Sequence, residues 1–261
     1  DDKKLLEAAH MLKGLGVDVL TFPDSPSGRT RIDSVLMAQK VKNVTGFEVM
    51  PHICCRDKNA IAMRSTFLGA SINDINNFLI ITGDPIPVMA RQVVKSVFNF
   101  DSVGLMRIAD EMNSEALKDS PLTYGGAINQ SRRRIESEIK RVQKKMEAGA
   151  EFFLTQPVFT AEDAERLRRV KEETGARILC GIMPLVSRKN ALFMKNEISG
   201  VNVTDEVIER YPENADREDG ENVGVELAKE MIAATRDFAD GYYFSFPFNR
   251  TYLLKRIIEE L

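Results

Sequence analysis

The sequence predicts an α/β chain of the (β/α)8 TIM-barrel class, and three observations carry that expectation. Apolar runs of strand length alternate with stretches of helical spacing along all 261 residues, with no linker between them. No Gly-x-Gly-x-x-Gly follows a strand, which removes the main support for an open dinucleotide-binding sheet. Polar residues stand after nearly every strand, at Thr21, His52, Asp84, Asn129, Gln156 and Asn249, as the mouth of a barrel requires. About seven strands can be counted. A helix opens the chain, so the missing strand is expected to be the first one. The expected organisation is a single domain over residues 1–261, incomplete at its N-terminus.

Taken in order, residues 3–13 read as an amphipathic helix ended by Gly14 and Gly16. His10 lies on that helix and reads as a surface histidine rather than a ligand. Val17–Phe22 is a short strand, and Pro23-Asp24-Ser25-Pro26-Ser27-Gly28 a loop. A helix over 31–42 leads to a strand at Phe47–Ile53, then Cys54-Cys55-Arg56-Asp57-Lys58-Asn59 and a helix over 60–72. The next strand is Phe78-Leu79-Ile80-Ile81, stopped by Thr82-Gly83-Asp84-Pro85. Helices are expected near 87–98, where Pro87 suits a first turn, and over 102–118. Leu122–Asn129 resembles a strand ending in a polar loop. The helix 131–147 carries Ile135, Ile139, Val142 and Met146 on one face. Phe152–Gln156 and Arg177–Pro184 are strands on either side of a helix over 161–173. A helix over 188–198, an acidic loop at 211–221, a helix over 223–238, a strand from Tyr242 and a last helix over 250–260 complete the alternation.

Composition excludes several classes. A net charge of -3 gives no cause to expect nucleic acid, and Arg132-Arg133-Arg134, Lys144-Lys145 and Arg168-Arg169 read as solvated helix faces. No apolar run is long enough to span a bilayer, and no leader peptide opens the chain. Cys54, Cys55 and Cys180 form neither a disulfide framework nor a Cys-x-x-Cys metal motif, so no metal is expected and a reducing, cytoplasmic setting is the default. The chain begins Asp-Asp-Lys-Lys without methionine, so an upstream segment is expected to be missing.

The usual nucleophile patterns are weak. There is no Gly-x-Ser-x-Gly elbow, and His52 stands too near Cys54 and Cys55 along one strand end to favour a thiolate pair. The phosphate-binding lysine loop of NTPases is absent, leaving helix N-termini or Lys145 for a phosphate. The stretch 78–85 delivers Asp84 to the carboxyl end of a buried strand, where α/β proteins build sites; taken alone, that carboxylate reads equally well as a helix cap. Asp84, Gln156 and His52, with the rings of Phe159, Tyr243 and Phe248, suit a planar heterocycle held by hydrogen bonds and stacking better than they suit hydrolysis.

Five blocks in this order resemble the methylenetetrahydrofolate reductase family: Met50–Asn59, Phe78–Pro85, Gly149–Phe159, Gly181–Leu185 and Tyr243–Arg250. Gly-Ala-Glu-Phe-Phe-Leu-Thr-Gln, residues 149–156, is the most specific of them. Arg-Asp-Lys-Asn at 56–59 and Gly-Gly-Ala-Ile-Asn-Gln at 125–130 look more like the reductase half of bifunctional homocysteine S-methyltransferase–reductase chains. The resemblance implies an FAD-binding TIM barrel that reduces 5,10-methylenetetrahydrofolate to 5-methyltetrahydrofolate, in one-carbon metabolism and methionine biosynthesis. It implies cofactor contacts at Thr21, His52, Thr82, Gly83, Asp84, Gly126, Asn129, Glu138 and Lys145. Asp84 and Gln156 are the implied catalytic residues and, with Arg250, the implied substrate contacts. NAD(P)H or another donor such as a ferredoxin would supply the electrons. A fused or associated methyltransferase domain and a homo-oligomer are further expectations.

Two features depart from the family. Thr82 stands where stand-alone members commonly carry arginine before Gly-Asp. The family's first strand bears a glutamate that acts as general acid towards folate, and no matching strand precedes Asp1; Glu7, on the opening helix, does not replace it. The alternatives are an FAD-barrel oxidoreductase of another substrate, proline-dehydrogenase-like, or a flavin-binding subunit active only within a larger complex.

Overall fold

Side-chain caps account for most helix starts in the computed structural model, which describes residues 2–198, 200–214 and 216–259. The Asp33 carboxylate accepts from the backbone N–H groups of Val35 and Leu36 and opens α2, Ser34–Thr45, which Gly46 ends in a left-handed turn. Asn59 opens α3, Ala60–Ser71, and Asp101 opens α4, Ser102–Ser114. Thr160, Ser187 and Asp216 open α6, Ala161–Thr174; α7, Arg188–Glu197; and α9, Arg217–Thr235. Each cap gives a partner to one of the N–H groups that a helix start leaves without one.

The chain divides into two compact units, Asp1–Ala127 with Lys144–Glu151, and Ile128–Gln143 with Phe152–Leu261. The first begins with α1, Asp2–Lys13, and holds the strands β1, Val19–Phe22; β2, Glu48–Cys54; β3, Asn77–Ile81; and β4, Thr123–Ile128, all but its last residue. Neighbours in sequence pair in parallel, Thr21 opposite Met50, His52 opposite Leu79 and Leu79 opposite Gly125. Val49–Cys54 and Phe78–Ile80 are buried, as central strands of a parallel sheet must be. Helix α5, Ile135–Glu147, contributes residues to both units. In the second unit β5, Phe152–Pro157; β6, Ile178–Ile182; and β7, Gly241–Phe244 pair in the same parallel, sequential way, with a register shift between Leu154 and Pro157. Helix α8, Asp205–Glu209, and α10, Leu253–Ile258, complete it. Among the described residues, seven parallel strands in sequential order, each separated from the next by helix, make this the TIM-barrel-like α/β fold that the alternation predicts. None of the described helices is long and apolar enough to cross a membrane.

Several segments depart from the expectations. The helix expected at 87–98 is only a short 3-10 turn at Val88–Ala90, followed by irregular chain. Val88, Met89 and Val93 stay 73%, 94% and 88% exposed, so the apolar spacing there has no core to bury against. The helix expected from 131 begins at Ile135, with Arg132–Arg134 in the preceding turn. The acidic stretch 211–221 is only in part a loop: Asp216 caps α9, whose first turns it contains. Phe159, expected among the rings of the mouth, is buried in a core cluster with Leu185, Val207, Tyr211 and Leu227.

Helix α9 approaches the chain after β6 so closely that it has room only for glycine. A Cβ on Gly224 would lie 2.0 Å from the Leu185 carbonyl oxygen, and one on Gly220 2.4 Å from that of Val186. Gly224→Ala should therefore cost about 1–3 kcal/mol or more in urea unfolding, since backbone rather than a movable side chain must give way. Gly69→Ala, in α3 with open space around it, should instead stabilise by about 1 kcal/mol through helix propensity.

Candidate active site

At the strand ends of the first unit, one buried guanidinium ties three segments together. Arg56, 2% exposed just after β2, donates from Nη1 to the Asp84 carbonyl at 3.0 Å and from Nη2 to the Ser25 carbonyl at 3.1 Å. Its Nε and Nη2 also meet both carboxylate oxygens of Asp57 at 2.8 and 2.6 Å. The bidentate bond to Asp57 raises the guanidinium's pKa further, so the charge is permanent. Asp84 is exposed, and its Oδ2 accepts the Ser27 N–H at 2.7 Å. Gly83 turns the chain between β3 and Asp84 at φ 93°, where a Cβ would meet the Cys54 Cβ at 2.9 Å. Thr82 Oγ1 accepts the N–H of Ser102 at the start of α4.

Asp24, Cys54 and Asp57 bring one potential metal-ligating atom each to within 4.8 Å of one another. Those groups are already committed: Asp24 Oδ2 accepts the Cys54 N–H at 3.0 Å and Asp57 is held by Arg56. Burial, with Asp24 next, pushes the Cys54 thiol up to about 12, and burial does the same to Cys55. Neither is the thiolate that a nucleophile or a zinc ligand needs.

Thr21 is half-buried on β1, and Gly126 is buried on β4. His52 is buried on β2; its carbonyl accepts from Ser34 Oγ at 2.8 Å, but its Nε2 is fully buried with no hydrogen-bond partner. Burial pushes its pKa down to about 4, so the imidazole is neutral at pH 7. Lys145, buried on α5, donates to the Ala127 carbonyl.

In the second unit the polar residues are braced in turn. Glu138 is 2% exposed; its Oε1 accepts the Asn129 N–H at 3.0 Å. Its Oε2 faces Arg132 at 2.9 Å and Arg141 at 3.5 Å, both approaching off the hydrogen-bonding direction. Gln130, fully buried, donates to the Gln156 and Pro157 carbonyls at 3.0 and 3.2 Å, across the register shift of β5. The side chain of Gln156 belongs to a half-buried residue at that strand end. Arg250 follows a 3-10 turn, Pro247–Asn249, and pairs with buried Glu221 at 3.0 Å.

Thr82, Gly83 and Asp84 thus adjoin one another in the first unit, and Asn129 and Glu138 in the second. Sequence reasoning missed the braces Arg56, Gln130 and Glu221. Arg56 and Gln130 stood inside motifs that resembled the family, whereas Glu221 lay in an acidic stretch with no signal.

The model of the methylenetetrahydrofolate reductase family matches residues 1–261. A 5,10-methylenetetrahydrofolate reductase of Buchnera aphidicola subsp. Schizaphis graminum is 24% identical over 187 residues, 70% of this chain and 61% of that protein. Its Salmonella typhimurium counterpart is 24% identical over 174 residues, 66% of this chain and 55% of that protein. The chain therefore spans between half and two thirds of these relatives' length. Among solved structures, EDTA monooxygenase from Chelativorans sp. BNC1 superposes with a TM-score of 0.61 at 7% identity, covering 100% of this chain and 86% of that one, a likeness of fold alone.

His52 makes stability depend on pH with a definite sign. Its folded pKa, about 4, lies below the ordinary 6.5, so the unfolded chain binds the proton more readily. Its contribution is fully present above pH 6.5 and is lost as pH falls towards 4, by roughly 3 kcal/mol at most. Urea midpoints measured across pH 7 to 4 should fall more steeply for the wild type than for His52→Gln.

Proposed function

Because the chain belongs to the methylenetetrahydrofolate reductase family, we propose that it is the reductase domain, over residues 1–261, that converts 5,10-methylenetetrahydrofolate to 5-methyltetrahydrofolate. The observation that carries the reading is the fixing of Asp84: its main chain is held by buried Arg56 and its carboxylate by the Ser27 N–H, at the end of a buried strand. A carboxylate held in this way is a preorganised negative charge rather than a mobile surface group.

FAD is the cofactor we propose, and the residues fit it. A buried imidazole nitrogen without a protein partner, on His52, is a ready hydrogen-bonding group for a neutral heterocycle. Thr21, Thr82, Gly83, Asp84 and Gly126 would line the ring system, with Asn129, Glu138 and Lys145 towards the ribityl, phosphate and adenosine parts. When bound, FAD supplies the hydride-transfer chemistry, and the protein supplies position and charge.

Opening the methylene bridge of the substrate leaves a cationic iminium, and the Asp84 carboxylate favours that charge. The amide of Gln156 orients the pterin by hydrogen bonds, and Arg250 takes an anionic group of the substrate. Glu7 is exposed on α1, a poor place for a proton donor to a bound pterin.

The visible spectrum of the full-length protein tests this reading. Flavin absorbance should bleach with NADH and recover on adding methylenetetrahydrofolate; bleaching only with reduced ferredoxin would change the donor, and no bound flavin would overturn the reading. Asp84→Asn should retain flavin and slow recovery by roughly tenfold or more, about 1.4 kcal/mol in the barrier, while bleaching slows less. Equal slowing of both half-reactions would sink the role given to Asp84.

A further inference from the structure

Two consecutive residues after β7, Phe248 and Asn249, both lie at φ 56°. The left-handed region is strained for a phenylalanine, and such strain persists only where surrounding contacts impose it. Phe248 does not offset that strain by burial, being 74% exposed. The chain thus holds an aromatic ring outward in an unfavourable conformation.

The Arg250 N–H closes the turn on the Pro247 carbonyl at 3.3 Å, and the side chains that follow it converge on Glu221. This carboxylate, 6% exposed on α9, pairs with Arg250 at 3.0 Å on the C-terminal side of the strained pair. Its Oε1 also accepts from the Tyr252 hydroxyl at 2.6 Å and from Arg217 Nε at 2.9 Å, and Arg217 donates to the Tyr252 oxygen at 2.7 Å. Arg256 stands 3.9 Å from Oε2, and Glu218 lines the same cleft. Although burial works to raise the pKa of Glu221, the hydrogen bonds from Tyr252 and Arg217 and the charge of Arg250 hold it below the ordinary value. Its backbone is fixed as well, because Gly220 and Gly224 on either side press α9 against the Leu185–Val186 carbonyls.

Arg250 is held by charge without being saturated. Its buried Nη1 has no well-aligned hydrogen bond, and its guanidinium carbon lies 5.7 Å from the centroid of the Phe248 ring. A staple between α9 and α10 would account for the three arginines and Tyr252, but it would not require a strained, outward-facing phenylalanine beside an arginine with donor capacity to spare.

We infer that Glu221 is the positioning residue of a substrate clamp made by Phe248 and Arg250, whose ring face and guanidinium take the aromatic, carboxylate-bearing end of the substrate. The inference rests on the reductase reading given above, in which that end is the benzoylglutamate of the folate. Glu221 itself touches no substrate; it fixes the guanidinium's place and the strained turn.

Steady-state kinetics of the full-length flavoprotein test it, with melting temperatures confirming that each variant is folded. Glu221→Gln should raise KM for methylenetetrahydrofolate about tenfold, equivalent to about 1.4 kcal/mol, while kcat and flavin reduction by the donor stay within about twofold. The same variant should bind a tetrahydropterin lacking the benzoylglutamate end as the wild type does, and in an Arg250→Ala background it should add no further loss. An unchanged KM, or an equal loss with the tailless pterin and in the donor step, would overturn the clamp. If Glu221→Gln does not fold, Phe248→Leu, at an exposed ring, should raise KM several-fold, and an unchanged value there would overturn it equally. Absence of folate binding by the wild type would instead bring down the reductase reading, and the clamp with it.

Discussion

The first unit's strand-end loops depend on the buried guanidinium of Arg56. Removing a charge from water is costly, and the cost is offset by an opposite charge and by hydrogen bonds that replace those lost to water. Here the partners are Asp57 and the carbonyls of Ser25 and Asp84, so neutralising the charge also joins the loop after β1 to the loop after β3. The left-handed turn at Gly83 then lets the chain pass against Cys54, and the Ser27 N–H reaches the Asp84 carboxylate. Taking Arg56 away would leave the Ser25 and Asp84 carbonyls without their common donor, whereas the Asp57 carboxylate, which is exposed, would turn to water.

The second unit uses buried polar groups in the same way. Glu138 fixes the Asn129 backbone, Gln130 bridges the irregular end of β5, and Glu221 gathers Arg250, Tyr252 and Arg217. Glu221 spends its hydrogen-bonding capacity on the chain, whereas Gln130 Oε1 and Glu138 Oε2 are buried without a hydrogen-bond partner. Asp84, with one accepting oxygen engaged and an exposed carboxylate, and His52, with a free buried nitrogen, retain capacity for a ligand. Glu138, hydrogen-bonded through one oxygen and facing two arginines with the other, retains much less. On the proposed reading its contribution to the cofactor runs largely through the position of Asn129.

Strands were legible because buried parallel strands need continuous apolar runs, and Phe78–Ile81 or Phe152–Leu154 can hardly be anything else. The segment 87–98 was misread because its valines and methionine have helical spacing, yet no partner surface covers them, and spacing says nothing about what lies opposite. Helix α8 was missed although Thr204 followed by Asp205-Glu206 is a start signal; five residues give too little periodicity to register. Motif resemblance singled out Asp84 and Gln156 as expected contacts. It could not find Glu221, whose importance comes from a burial that only the glycine-flanked packing of α9 creates.

Electrostatics gives these placements a common sense. A neutral His52 at a buried position adds no positive charge that would offset Asp84, so the carboxylate's influence on a cationic substrate state would not be cancelled from that side. Arg56 carries the opposite charge, but its guanidinium meets the Asp84 main-chain carbonyl, while its charge is balanced through a bidentate bond to the Asp57 carboxylate. The backbone of Asp84 is therefore fixed by a cation whose own partner is another residue. Had Arg56 paired directly with the Asp84 side chain, the same rigidity would have come with neutralisation of the group that the proposed chemistry needs charged.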